Sequence, residues 1–186
     1  MTILAVSTPT GGVLGAVAPL GLLAAGGPTR LLVDLDPDGP RYRGSGSLAE
    51  MVEQGPTAAD LRPTRRGAAV LANGGIGLAD AFEVVKALIA GWPQVVLRVP
   101  TSAGELSDLV PTPVVSVHPL LDIELFAAPQ GLTVYQRMSR SRHTRVSGLV
   151  LPVPNATCWS RLLSGSFPAG DRWIRAWRMV WKTQWV

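Results

Sequence analysis

The feature that most constrains this chain is a recurrence of short, nearly unbroken apolar runs, each bounded by glycine or proline. They lie at Ile3–Val6, Leu31–Leu35, Ala68–Leu71, Val95–Val99, Val114–Val117 and Leu149–Val153. A strand with one wet face alternates apolar and polar residues, whereas a strand covered on both faces reads as a continuous apolar run. Segments of helical character fall between the runs, at Gly15–Ala25, Ser47–Gln54, Gly77–Ala90, Glu105–Leu109 and Ile123–Arg137. Strand alternating with helix predicts a doubly wound α/β fold, a mainly parallel sheet with helices on both faces. The 186 residues suffice for one such domain with a substantial core. With 47% apolar and 16% charged residues, no long disorder is expected. Ligands of such sheets lie beyond the carboxyl ends of the strands. That edge is where Asp34, Asp36, Arg98 and His118 are expected to gather.

Between the first strand and first helix runs Ser7-Thr8-Pro9-Thr10-Gly11-Gly12-Val13-Leu14-Gly15-Ala16. A glycine-rich turn opening a helix aims backbone N–H groups at an anion. The next strand ends Asp34-Leu35-Asp36-Pro37-Asp38-Gly39, and Gly46-Ser47-Leu48-Ala49-Glu50-Met51-Val52 follows. Further on come Pro93 to Pro100, Pro113 to Pro119 and Gly148 to Asn155, each an apolar strand with a polar or proline end. Over about residues 1–160 this order resembles the ParA/MinD family of deviant Walker-A P-loop ATPases. The family loop reads roughly Lys-Gly-Gly-x-Gly-Lys-[Thr/Ser].

Here Thr10 stands for the first lysine, Gly15 for the phosphate-gripping lysine and Ala16 for the magnesium-binding hydroxyl. Arg98 replaces the Walker-B aspartate, and Pro152 replaces the base-reading asparagine, with Asn155 three residues on. Asp34 matches the family aspartate that contacts the attacking water or the magnesium shell. The resemblance therefore implies a residual nucleotide loop of Thr10, Gly11, Gly12, Val13 and Gly15, with Asp34, Asp36 and Arg98 beside it. It offers no metal ligand set and no catalytic residue, and weak ATP or ADP binding is the most to expect. Each lost electrostatic contact of this kind typically costs on the order of 10²–10³ in rate. Arg98 is expected to pair with Asp34 or Asp36 in preference to a phosphate.

The chain is polarised in charge. From Arg137 onward there are eight arginines and one lysine against one aspartate, a net of +8, while the rest carries a net of −4. Arg137, Arg140, Arg142 and Arg145 form a basic segment that is either a solvated surface or a patch for nucleic-acid phosphates or anionic lipid. Near the end, Trp173, Trp177, Trp181 and Trp185 recur every four residues. On a helix each step advances about 40°, so all four share one face with Ile174 and Val180. Arg175, Arg178 and Lys182 fall on the other, with Arg172 at its flank, and Asp171 is a plausible N-cap. Such a face packs on its own domain, on a protein partner or on an anionic membrane. The first is favoured. MinD-type relatives also end in an amphipathic membrane-targeting helix.

The division expected is a ParA/MinD-like domain over 1–160 and a basic, Trp-rich helical tail over 161–186. Cys158 is the lone cysteine and is read as a buried or incidental thiol, while His118 and His143 are read as structural. No signal peptide or membrane span is expected, which predicts a cytoplasmic protein, at most peripheral at the inner face of the membrane. Alanine, glycine, proline, valine and arginine dominate while lysine occurs twice, which suits a high-GC bacterial genome. The function expected is a non-enzymatic positioning, assembly or regulatory factor that binds a protein partner or itself as a dimer. The alternative is an active nucleotide switch for DNA partitioning or membrane positioning, with its missing residues supplied in trans.

Overall fold

A computed structural model describes residues 2–9, 11–44, 46–63, 65–100, 112–121, 132–139, 146–168 and 170–183. The apolar runs become β1 (Thr2–Ser7), β2 (Thr29–Asp34), β3 (Gly67–Leu71), β4 (Gln94–Arg98), β5 (Val114–Leu120) and β7 (Leu149–Leu151), joined by β6 (Leu132–Arg137). All pair in parallel in one sheet of order β3-β2-β4-β1-β5-β6-β7. Adjacent residues feed opposite cores, which is why both must be apolar. Leu4, Val6, Leu32 and Val96 enter one core, and Ala5, Leu31, Val33, Val95 and Leu97 enter the other.

The first core is roofed by α1 (Gly12–Ala25), α5 (Ala156–Leu163) and α6 (Arg172–Lys182). The second is roofed by α2 (Leu48–Gln54), α3 (Ala58–Leu61) and α4 (Leu78–Gly91). In α1 every residue from Leu14 to Ala25 is buried, so the helix is covered all round. One side meets the sheet, and α5 and α6 close the other. Ser47 and Glu50 form a capping box that starts α2, as Thr57 and Asp60 do for α3.

Three readings of the sequence change. The helix expected over Ile123–Arg137 is, in its described part, strand β6, where Thr133, Val134 and Tyr135 have the β-branched and aromatic character that suits a pleated surface. The stretch after Gln54, assigned to no strand or helix from the sequence, contains the single turn α3. Helix α5 was not expected, and Asn155 caps it by accepting from the Thr157 N–H at 2.9 Å. The helical segment expected at Glu105–Leu109 lies outside the described residues. Among the described residues, no helix is long and apolar enough to cross a membrane.

Candidate functional site

At the carboxyl edge, β2 and β4 are neighbours, and their register sets Asp34 directly opposite Arg98. Arg98 Nη1 donates to Asp34 Oδ1 at 2.7 Å, and Nη2 donates to Asp36 Oδ2 at 2.8 Å. Its Nε crosses to the opening turn of α1 and donates to the Gly15 carbonyl at 3.1 Å. One guanidinium thus joins both aspartates to the glycine-rich turn. The cluster is dry, with Asp34 fully buried and Arg98 6% exposed. Charge-assisted contacts of this length are strong where water is excluded.

Burial pushes the Asp34 carboxyl up to about 6, against the pull of Arg98, so it remains mostly ionised at neutral pH. Burial also opposes the charge on Arg98, but Asp34, Tyr42 and Asp36 around it together outweigh that and hold its pKa above the ordinary value. Asp34 Oδ1 accepts a second bond from the Asp36 N–H, and Asn73 Nδ2 donates to the Asp34 carbonyl at 3.2 Å. Asp34 Oδ2 has no hydrogen-bond partner. Gly39 closes over the pair, since a Cβ there would strike Arg98 Nη1 and Asp34 Oδ2. Tyr42 donates from its hydroxyl to the Ala16 carbonyl at 2.9 Å, and burial raises its pKa. Gly39 belongs to the sequence motif; nothing in the sequence pointed to Tyr42 or Asn73.

The loop itself is open. Gly11 caps α1 without a side-chain bond, Gly12 has φ +66°, and a Cβ at either would meet nothing. Val13 is 57% exposed. Gly15 and Ala16, at the positions of the family lysine and hydroxyl, are buried and carry no polar side chain. His118 lies toward the end of β5, two strands from β4 and beside Tyr135, so it does not join the Arg98 cluster. Thr10, Arg140, Arg142, His143, Arg145 and Trp185 lie outside the described residues.

Trp173, Trp177 and Trp181 of the tryptophan stripe line the inner face of α6. Trp173 and Trp177 are 1% and 0% exposed and pack on the protein's own core, the favoured of the three readings, which leaves neither of these two for a membrane or partner contact. What receives them is Gly21 of α1, where a Cβ would lie 2.5 Å from Trp173 Cη2 and from Trp177 Nε1. The rings of Trp173 and Trp177 meet edge to face at 5.6 Å, and Trp159 of α5 meets Trp173 the same way at 6.1 Å. Trp181 is half-buried and donates to the Leu22 carbonyl at 2.8 Å. Arg175, Arg178 and Lys182 face outward, as the helical spacing requires. Asp171 caps α6, accepting from the Trp173 N–H at 2.7 Å.

With this geometry in place, known proteins offer a fold and little more. No protein-family model matches the sequence, and no curated protein matches it. Among solved structures, a ParA family ATPase from Chlorobium tepidum TLS is similar at 11% identity and a TM-score of 0.64, covering 96% of each chain. A chain of the MinC:MinD cell division protein complex of Aquifex aeolicus is similar at 13% identity and a TM-score of 0.60, over 99% of this chain and 97% of the other. The sheet order and flanking helices thus define a ParA/MinD-like α/β fold of the P-loop NTPase type. At such identities the likeness establishes the fold alone.

Proposed function

We propose that this chain is a ParA/MinD-like protein without phosphoryl-transfer activity, acting by binding as a positioning, assembly or regulatory factor in a bacterial cytoplasm. One observation carries the reading. The Arg98 guanidinium lies between Asp34, Asp36 and the Gly15 carbonyl, where the fold's catalytic chemistry needs a divalent cation and a lysine. One oxygen of each carboxylate is engaged by a fixed cation, and the second Asp34 oxygen is sealed under Gly39. A magnesium ion would have to displace or approach that guanidinium in a dry site, where like-charge repulsion is large. Gly15 and Ala16 bring neither cation nor hydroxyl. These residues do not fit magnesium-ATP.

In this reading the cluster is a structural clamp that ties β2, β4 and α1 together. Partner binding is supported by the neighbour drawn from the MinC:MinD complex, a protein assembled with another protein. The outward face of α6, with Arg175, Arg178 and Lys182, is a surface free to meet an acidic partner.

The test is calorimetric titration with ATP and ADP, with and without magnesium, beside an assay of phosphate release. The expected result is no magnesium-dependent heat up to millimolar nucleotide and no phosphate release. Micromolar binding that requires magnesium would overturn the proposal in favour of an active switch completed in trans.

A further inference from the structure

Three strands from Arg98, the same carboxyl edge holds a second cationic cluster. Arg137 ends β6, and Arg172 and Arg175 lie one turn apart at the start of α6. They border a groove of about 440 Å³ whose apolar wall includes Val150, Pro152 and Ala176. That volume lies in the range of small-molecule sites. Among the described residues, none of these three arginines forms an ion pair. Asp171, the acid next to them, is already committed to the Trp173 N–H.

Two further facts set this groove apart from a solvated basic surface. The first turn of α6 contains two arginines and no acid. A helix start already bears partial positive charge, so the two cations there are set against it with only the single Asp171 cap carboxylate in compensation. The groove is also held rigid from beneath. The buried Gln136 side chain donates to the Arg137 carbonyl at 2.7 Å and to the Pro152 carbonyl at 3.0 Å. Its Oε1 accepts from Trp173 Nε1 at 2.6 Å. One side chain therefore fixes β6, the end of β7 and α6, the three walls, in a single arrangement.

We propose that this groove binds a phosphorylated small molecule of about mononucleotide size, held through its phosphate. Guanidinium groups match phosphate oxygens in bidentate fashion, and three uncompensated charges suit a phosphate dianion better than a single carboxylate. Val150, Pro152 and Ala176 provide an apolar wall for the body of the ligand. The site shares no residue with the Arg98 cluster; it does include Pro152, at the family's base-reading position, so pyrophosphate, which has no base, is the probe that isolates the arginines.

The experiment is calorimetric titration of the full chain with AMP and with inorganic pyrophosphate, without magnesium, at about 0.15 M salt. One saturable site per chain is expected for both probes. Arg137→Gln, Arg172→Gln and Arg175→Gln should each weaken it about ten-fold, while Arg178→Gln, outside the groove on the same helix, leaves it unchanged. All four residues are exposed, and thermal melts confirm that each variant stays folded. Equal losses in all four variants would overturn the site in favour of diffuse charge. So would an absence of binding to either probe while duplex DNA or phosphatidylglycerol vesicles bind, since the basic surface would then serve a polymer or a membrane. Binding of neither the small probes nor these surfaces refutes it outright.

Discussion

Replacing Arg98 with methionine tests the clamp, because the substitution keeps most of the buried volume and removes the charge. It deletes two ion pairs and the bond to the Gly15 carbonyl, and leaves Asp34 in a dry site with no cation. Breaking a buried pair by removing one partner costs about 3–5 kcal/mol, a large part of the roughly 5–15 kcal/mol that holds a domain folded. The cost should depend on pH in a defined direction. In the native protein Asp34 titrates at about 6, above the roughly 3.9 of an unfolded aspartate. Its native form therefore binds protons more tightly than its unfolded form, and stability falls as pH rises from about 4 to about 6, then levels off. Without Arg98 the carboxyl moves further up, and the fall continues above pH 6. Urea denaturation of both proteins at pH 5 and pH 8 reads this directly. The deficit should approach the full 3–5 kcal/mol at pH 8. At pH 5, with Asp34 neutral in both, it should shrink to about 1–2 kcal/mol, the share of the Asp36 and Gly15 contacts. Adding Asp34→Asn to the variant should remove the extra loss at pH 8. An equal deficit at both pH values would refute the assignment of Asp34 as the buried, Arg98-dependent charge.

Gly21→Ala puts a methyl against Trp173 and Trp177; overpacking should cost about 1–3 kcal/mol, and an unchanged melting temperature would show that α6 does not pack as described. Gln136→Leu removes the partner of Trp173 Nε1 and of two backbone carbonyls, and each buried group left unpaired should cost about 1–3 kcal/mol in denaturant unfolding. Trp181→Phe keeps an aromatic side chain but removes the indole N–H and so frees the Leu22 carbonyl; the loss should be smaller, about 1 kcal/mol, and its tryptophan fluorescence change should track the same unfolding midpoint as circular dichroism.

What could be read from the sequence followed how local the physics was. The strands Leu31–Leu35 and Val95–Val99 were legible because double burial forces an unbroken apolar run. β6 was not, because Gln136 and Arg137 break its apolar run and only Val134 and Gln136 turn inward. Gln136 is buried by a bond to a tryptophan 37 positions away, which no local pattern encodes. The pairing of Arg98 with the aspartates was legible from the motif, but its third bond, to Gly15, depends on how α1 sits on the sheet. The tryptophan spacing gave the face of α6 but not what covers it. The answer was a single glycine, Gly21, whose missing side chain makes the seat.

The enclosure of α1 also has a consequence in time. The helix leaves the ribosome well before part of its cover, because α6 begins at Arg172, far downstream of Ala25. At about 5–20 residues per second, translation leaves that apolar helix without its lid for roughly ten seconds or more. During that interval the nascent chain exposes a surface that chaperones recognise, so synthesis, more than the finished protein, is when this molecule is most prone to aggregate.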